Sequence, residues 1–265
     1  MAEKNSFNLS SKTVILTGGA GFLGTVYAEA LLKSGSNLVL ADLNFSKCKK
    51  ISNSLNKKFS NQCIPIKLDV TKKQSIKSLV SKTMKKFGSI DVLINNAANQ
   101  GNKSLRGRKF EEFPLSEWNK ELAVNLTGVF LCCQEVGKIM LSQKSGSIIN
   151  ISSIYGNVAP DPTIYEKTGL NPTIAYSTTK GGIITLTKFL ASYWHKHGIR
   201  VNSLSLGGVE NNQNAEFIKK YSSKTMIGRM AKKDEFLDIL LLLASDGSSY
   251  MTGSNVIVDG GWTAW

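Results

Sequence analysis

The chain of 265 residues has few of the residues that build metal centres or disulfide scaffolds. Its four cysteines, Cys48, Cys63, Cys132 and Cys133, show no Cys-x-x-Cys spacing, and its two histidines, His195 and His197, lie far from all of them in sequence. A zinc site or a disulfide framework needs a denser pattern, so neither is expected. The histidines fall where a helix should end before Gly198, a place where cations complement the helix macrodipole. Long hydrophobic runs are also missing. The most apolar stretch, 236–244, is short and contains Asp238, so it reads as a buried helix and not as a membrane span. The first ten residues hold no apolar run of secretory length, which makes a cytoplasmic protein the expectation. Basic blocks interleaved with aromatics are absent too, although the formal net charge is +14. Lysines such as Lys47, Lys49, Lys50, Lys57, Lys58, Lys82, Lys85 and Lys86 are spread over expected solvent faces, so no nucleic-acid groove is expected. Plain lysine bias and attraction of an anionic small-molecule substrate both stay open as explanations.

What is present suffices for a large core. Hydrophobic residues make up 42% of the chain, and the length is ordinary for one α/β domain. Short apolar runs at 14–16, 37–42, 63–69, 90–95, 147–152, 199–204 and 255–259 predict seven strands. Helical patterns alternate with them near 22–34, 45–59, 72–87, 115–143, 173–197 and 232–245. Thr71 and Gln74 have the spacing of a capping box ahead of the third helix. This alternation predicts an α/β fold, one doubly wound domain over 1–265, with a seven-stranded parallel sheet flanked by helices. Three irregular stretches, 96–114, 153–172 and 207–231, each follow the C-terminal end of a strand. That is the edge where open α/β sheets bind ligands.

Thr17-Gly-Gly-Ala-Gly-Phe-Leu-Gly24 follows the first strand and opens the first helix. Gly19, Gly21 and Gly24 fit the G-x-G-x-x-G fingerprint of a Rossmann dinucleotide site, in the strand-to-helix context that gives it weight. Glycines permit the tight turn, and the helix N-terminus favours a pyrophosphate. Asp42 ends the second strand, 18 residues past Gly24, with Leu43, Asn44 and Phe45 following and Lys47 as the nearest cation. A carboxylate there binds the ribose hydroxyls of NAD and repels the 2′-phosphate of NADP, so NAD is expected over NADP. Tyr176 and Lys180, four apart on an expected helix, share one face about 5–6 Å apart at Cβ. An ammonium beside a phenol favours the phenolate and lowers its pKa, which makes a proton donor and acceptor usable near neutral pH.

Together with Asn95-Asn-Ala-Ala98, Asn125 and Ser153, these motifs resemble the short-chain dehydrogenase/reductase family over nearly the whole chain. The resemblance implies a nicotinamide-dependent oxidoreductase acting on CH–OH and C=O groups. It implies that Gly18, Gly19, Gly21, Phe22, Leu23 and Gly24 line the pyrophosphate and adenosine ribose. Asp69 and Val70 would contact adenine, and Asn96, Ala97 and Ala98 would run along the ribose. Gly207 and Val209 would flank the nicotinamide, with Asn211 in place of the usual threonine. Asn125, Ser153, Tyr176 and Lys180 would be the catalytic set, with Ser152 as the alternative serine. Tyr176 and Lys180 would also touch the cofactor. Helices carrying Asn125 and Tyr176 would build a dimer face, and the last strand a second one, giving a homotetramer or a homodimer.

Some positions depart from the commonest family pattern. The middle glycine, Gly21, stands one place early, and Ala98 replaces a glycine. Ser153 and Tyr176 are separated by 22 residues, where about a dozen are usual, with the extra residues near 161–170. This insertion, the 207–211 segment and the Val-Asp-Gly-Gly-Trp ending are similar to the subgroup linked to bacterial surface-sugar and flagellin modification. The resemblance therefore implies a sugar, sugar phosphate or nucleotide-sugar substrate. The basic loop 103–109 and Tyr155 or Tyr165 are candidate substrate contacts, with solvated loop and packing aromatics as the plainer readings. An NADPH-dependent 3-oxoacyl-thioester or small-ketone reductase is the alternative activity. A non-catalytic nucleotide-binding regulator is a third, disfavoured because no member of the Asn-Ser-Tyr-Lys set is missing.

Overall fold

The computed structural model describes residues 7–60, 62–105, 107–166, 168 and 172–265. Seven strands form one parallel sheet: β1 (Thr13–Thr17), β2 (Asn37–Asp42), β3 (Cys63–Lys67), β4 (Val92–Asn95), β5 (Gly146–Ser153), β6 (Ile199–Leu206) and β7 (Asn255–Val258). Their order is β3-β2-β1-β4-β5-β6-β7. The chain reverses its winding between β1 and β4, and the crevice at that switch point is where such sheets take ligands.

The helices are α1 (Phe22–Lys33), α2 (Phe45–Asn56), α3 (Lys73–Phe87), α4 (Leu115–Leu122), α5 (Gly128–Gln143), α6 (Ile174–Tyr193), α7 (Ala215–Ser222) and α8 (Leu237–Ala244). Because side chains alternate across a strand, Val14 and Leu16 enter one core layer with α1 and α8, while Ile15 enters the other with α3, α5 and α6. Every residue of β1 is buried, as expected of a strand covered on both faces. A smaller cluster of Ile154, Ile164, Tyr165, Phe217, Tyr221, Met230 and Trp262 stands at the C-terminal edge.

Three local expectations are corrected. The run at 115–143 is not one regular helix, because a π-helical turn over Ala123–Thr127 separates α4 from α5. The stretch 207–231 is not wholly irregular: α7 lies inside it, capped by the Asn214 side chain accepting from the Phe217 N–H at 2.7 Å. The capping box at Thr71 does not form. Lys72 holds the cap position without a side-chain bond, and Thr71 instead donates both N–H and hydroxyl to Asp69. The nearer carboxylate wins because it satisfies both Thr71 donors in one tight turn.

Candidate active site

The end of β1 is built around close backbone approaches. Gly18 has φ +64, and a Cβ there would stand 2.7 Å from Ala97 Cα. A Cβ at Gly24 would stand 2.3 Å from the Gly18 carbonyl oxygen, so α1 packs against the turn only through glycine. Gly19 lies against Leu40. Gly21 takes the N-cap of α1 with no side-chain bond, leaving the first N–H groups of the helix for a ligand. Thr17 Oγ1 accepts from the N–H groups of Asn96 and Ala97 at 3.0 and 3.1 Å, and Asn96 Nδ2 donates to the Thr17 and Gly18 carbonyls. Asn96 therefore secures the glycine turn.

Asp42 completes this half. Its Oδ2 accepts from the Ala20 N–H at 3.1 Å and its Oδ1 from the Asn44 N–H at 2.9 Å, which fixes the carboxylate beside the turn. A cleft of about 940 Å³ runs along the sheet edge, a size at the upper end for small-molecule and cofactor sites. Gly18, Gly21, Phe22, Leu23, Asp42, Asp69, Val70, Asn96, Ala97 and Ala98 line one half, and Ser153, Tyr176, Lys180, Gly207, Val209 and Asn211 the other. Gly19, Gly24 and Asn125 stand behind the wall. A glycine turn that a Cβ would fill, an open helix N-terminus and an anchored carboxylate together fit a dinucleotide.

In the second half, α6 presents Tyr176 and Lys180 together. Lys180 is buried and donates from Nζ to the Ile151 carbonyl at 2.8 Å, and its Nζ lies 5.5 Å from the Tyr176 ring centroid. Burial lowers its pKa to about 8. The Tyr176 phenol moves opposite to the sequence expectation. Burial raises its pKa, a hydrogen bond with the Ser153 hydroxyl offsets part of that, and the Glu121 carboxylate adds to it. The ammonium is held by a carbonyl instead of by the phenolic oxygen, so desolvation outweighs it.

The two serines separate cleanly. Ser152 donates its hydroxyl to the Lys180 carbonyl at 2.8 Å, a structural bond, while Ser153 pairs with Tyr176 and accepts from the Tyr155 N–H at 3.2 Å. Gly156 brings this turn onto α6, where a Cβ would meet the Lys180 carbonyl carbon at 2.6 Å. Asn125 sits in the π-helical turn, where its Oδ1 accepts from the Asn99 N–H at 2.7 Å and its Nδ2 donates to the Asn99 carbonyl at 2.8 Å. Such turns recur at functional sites because they re-aim a side chain out of the helical ladder.

Sequence reasoning missed the support behind Tyr176. Thr173 caps α6, accepting from the Tyr176 N–H at 3.2 Å and donating to Glu121 Oε2 at 2.6 Å. Glu121 is fully buried on α4. The signals were a threonine three residues before Tyr176 and a carboxylate four before Asn125. Thr173→Ala should destabilise the protein by about 1–3 kcal/mol, since a cap is lost and a buried carboxylate loses one of its donors. Thermal melting checks this, and Thr173→Ser should recover most of the loss.

Other candidates resolve differently. Tyr155 and Tyr165 line the cleft and hydrogen-bond each other through their hydroxyls, so they are both packing residues and cleft residues. In the basic loop, Arg108 lies 3.6 Å from Glu112 at the surface, and Arg106 falls outside the described residues. Lys167, Gly169 and Leu170 of the insertion also fall outside them. All four cysteines are buried, free thiols.

Comparison with known proteins agrees with this geometry. A family model described as enoyl-(acyl carrier protein) reductase matches residues 20–263. Post-translational flagellin modification protein A of Campylobacter coli is 30% identical, over 96% of this chain and 99% of that protein. A crystal structure of a short-chain type dehydrogenase/reductase from Mycobacterium marinum superposes with a TM-score of 0.88 at 28% identity, covering 98% of each chain. A gluconate 5-dehydrogenase from Burkholderia cenocepacia, solved with NADP and tartrate, superposes equally well, with a TM-score of 0.88 at 27% identity over 98% of each chain.

Proposed function

The chain belongs to the short-chain dehydrogenase/reductase family, nicotinamide-dependent oxidoreductases of CH–OH and C=O groups, and from that premise we propose an NAD-preferring enzyme that interconverts a secondary alcohol and a ketone on a sugar derivative. The observation that carries the reaction is the Ser153–Tyr176 hydroxyl pair at the cleft wall, with Lys180 beneath it. Ser153 holds the substrate oxygen. Tyr176 takes the alcohol proton during oxidation and returns it during reduction. Lys180 places a positive charge beside the tyrosine and would help to hold the nicotinamide ribose, while Asn125, through Asn99, fixes the wall behind them. A bound nicotinamide supplies or accepts the hydride.

Cofactor choice rests on Asp42. Its carboxylate is anchored by two backbone N–H groups and followed by Leu43, Asn44 and Phe45, none of which offers a cation to a 2′-phosphate. Fluorescence titration should give NADH at least tenfold tighter binding than NADPH, and Asp42→Ala should shrink that ratio. Equal or tighter NADPH binding by the unaltered protein would remove the role given to Asp42 and favour the 3-oxoacyl-thioester reading.

The sugar assignment is supported by the flagellin-modification relative and the gluconate dehydrogenase, together with the polar lining beyond Ser153. A homotetramer is part of the same reading. Phe130 on α5 and the stacked pair Phe189 and Tyr193 on α6 are exposed, apolar area that a second copy would cover. Light-scattering mass in solution tests it, with a monomer as the outcome against it.

A further inference from the structure

Beyond Ser153, the cleft runs under the 155–166 stretch and α7. Its polar lining there is phenols and carboxamides, Tyr155, Tyr165, Asn211, Asn212 and Gln213, set beside the apolar Pro172, Phe217 and Met230. Among the described residues, Lys180 is the one cation on the cleft wall, and it is engaged below Tyr176. Such a lining suits an uncharged, hydroxyl-rich ligand better than a phosphate.

Two of these groups are fixed with more care than packing needs. Tyr155 springs from the same turn as Ser153, with its N–H on the Ser153 hydroxyl at 3.2 Å. Its backbone therefore starts beside the Ser153 hydroxyl, and its side chain lines the same cleft as Tyr176. The Tyr155 hydroxyl is bonded to that of Tyr165, with ring centroids 6.4 Å apart at 61°. Tyr165 in turn packs on Phe217 of α7 at 5.5 Å. The loop carrying it is tied to the α7 region by Asp161 to Lys224 at 2.7 Å and by Lys220 Nζ to the Glu166 carbonyl at 3.3 Å. The 161–166 insertion thus acts as a brace that sets one phenol oxygen at the cleft wall. A bond between two phenols consumes one of their two hydrogens, and the Tyr155 oxygen keeps hydrogen-bonding capacity toward the cleft.

We propose that Tyr155, held in place by Tyr165, is a specificity-determining residue that binds a hydroxyl on the carbon next to the one oxidised, so that the substrates are vicinal diols and the products α-hydroxyketones. This rests on the oxidoreductase reading above. The second hydroxyl is unchanged by the reaction and serves recognition alone. A site built to hydrogen-bond such a group rejects analogues that lack it, because its own polar atoms are then buried without a partner.

The test compares trans-cyclohexane-1,2-diol with cyclohexanol as substrates, and 2-hydroxycyclohexanone with cyclohexanone in calorimetric titrations of the NADH-loaded enzyme. The wild-type protein should prefer the hydroxylated member of each pair by roughly 100-fold or more. Tyr155→Phe, which keeps the ring and its packing, should reduce the preference to about tenfold or less, and Tyr165→Phe should fall between them. Equal treatment of the two members by the wild-type protein, an unchanged preference in Tyr155→Phe, or binding of neither ketone to the NADH-loaded enzyme would each overturn the inference. Failure of NADH itself to bind would instead overturn the oxidoreductase reading.

Discussion

Tyr176→Phe is expected to lower turnover by roughly 10²–10⁴-fold, the usual worth of a positioned proton donor and acceptor, with little change in NADH affinity or melting temperature. The hydroxyl removed is the one that faces the Ser153 hydroxyl on the cleft wall. The neighbouring phenol cannot take over, because Tyr155 is bonded to Tyr165 and burial lifts its pKa far above the ordinary value. Loss of the ring is a different matter: Phe keeps it, and the α6 cap joins the Tyr176 N–H to the Thr173 hydroxyl without using the phenol. Turnover close to wild type would remove the tyrosine from the mechanism. A pH profile sharpens the test. Because burial raises the Tyr176 pKa, oxidation by the wild-type enzyme should accelerate as pH rises toward that value, and the residual rate of the Phe variant should lose this dependence.

Lys180 bears on the same profile. Its pKa falls from 10.5 to about 8 through burial, so the ammonium is charged at neutral pH and gives up its proton above pH 8. Between about pH 8 and 10.5 the unfolded chain binds more protons at this position than the folded one. The contribution of this group to stability therefore rises with pH across that window. Charge near Tyr176 and stability thus pull in opposite directions, as expected of a cation buried for function and not for folding.

How much of this was legible in the sequence depended on whether the information was local. The central strands were legible because both faces are covered, so runs such as Thr13–Thr17 carry their burial in composition. The glycine turn, Asp42 and the Tyr176–Lys180 spacing were legible because turn, strand end and helix face are each set within a few residues. The fold brings the glycine turn with Asp42 and the Ser153–Tyr176–Lys180 group to one cleft. The direction of the Tyr176 pKa was not legible, since it depends on burial and on Glu121 arriving from another helix. Neither was the bond of Asn125 to Asn99, which needs the π-helical turn. The helix α7 was hidden in a polar stretch of eight residues, where Asn214 supplies the cap and Phe217 and Tyr221 the only apolar anchors that face the cleft.

Gly18→Ala should be strongly damaging for a change of a single carbon. Two costs add at this position. The residue holds φ +64, a left-handed conformation that costs about 1–2 kcal/mol for a residue with a Cβ. The added carbon would also stand 2.7 Å from Ala97 Cα and 2.9 Å from Ala97 N, both backbone atoms, so neither can rotate away. Overpacking of this kind typically costs about 1–3 kcal/mol more. A loss of about 2–5 kcal/mol should lower the melting temperature by roughly 5–15 °C for a chain of this size. The displacement would push the glycine turn away from the 96–98 segment, which Asn96 ties to the Thr17 and Gly18 carbonyls at 3.1 Å. NADH binding should therefore weaken by much more than the melting shift alone explains, because the turn and the open N-terminus of α1 would lose their alignment. Gly21→Ala is the internal control. Its added carbon would meet only the Gly18 carbonyl oxygen, at 3.0 Å, and its φ is an ordinary −74. It should melt within a few degrees of wild type while still weakening NADH binding, which separates strain in the turn from obstruction at the helix end.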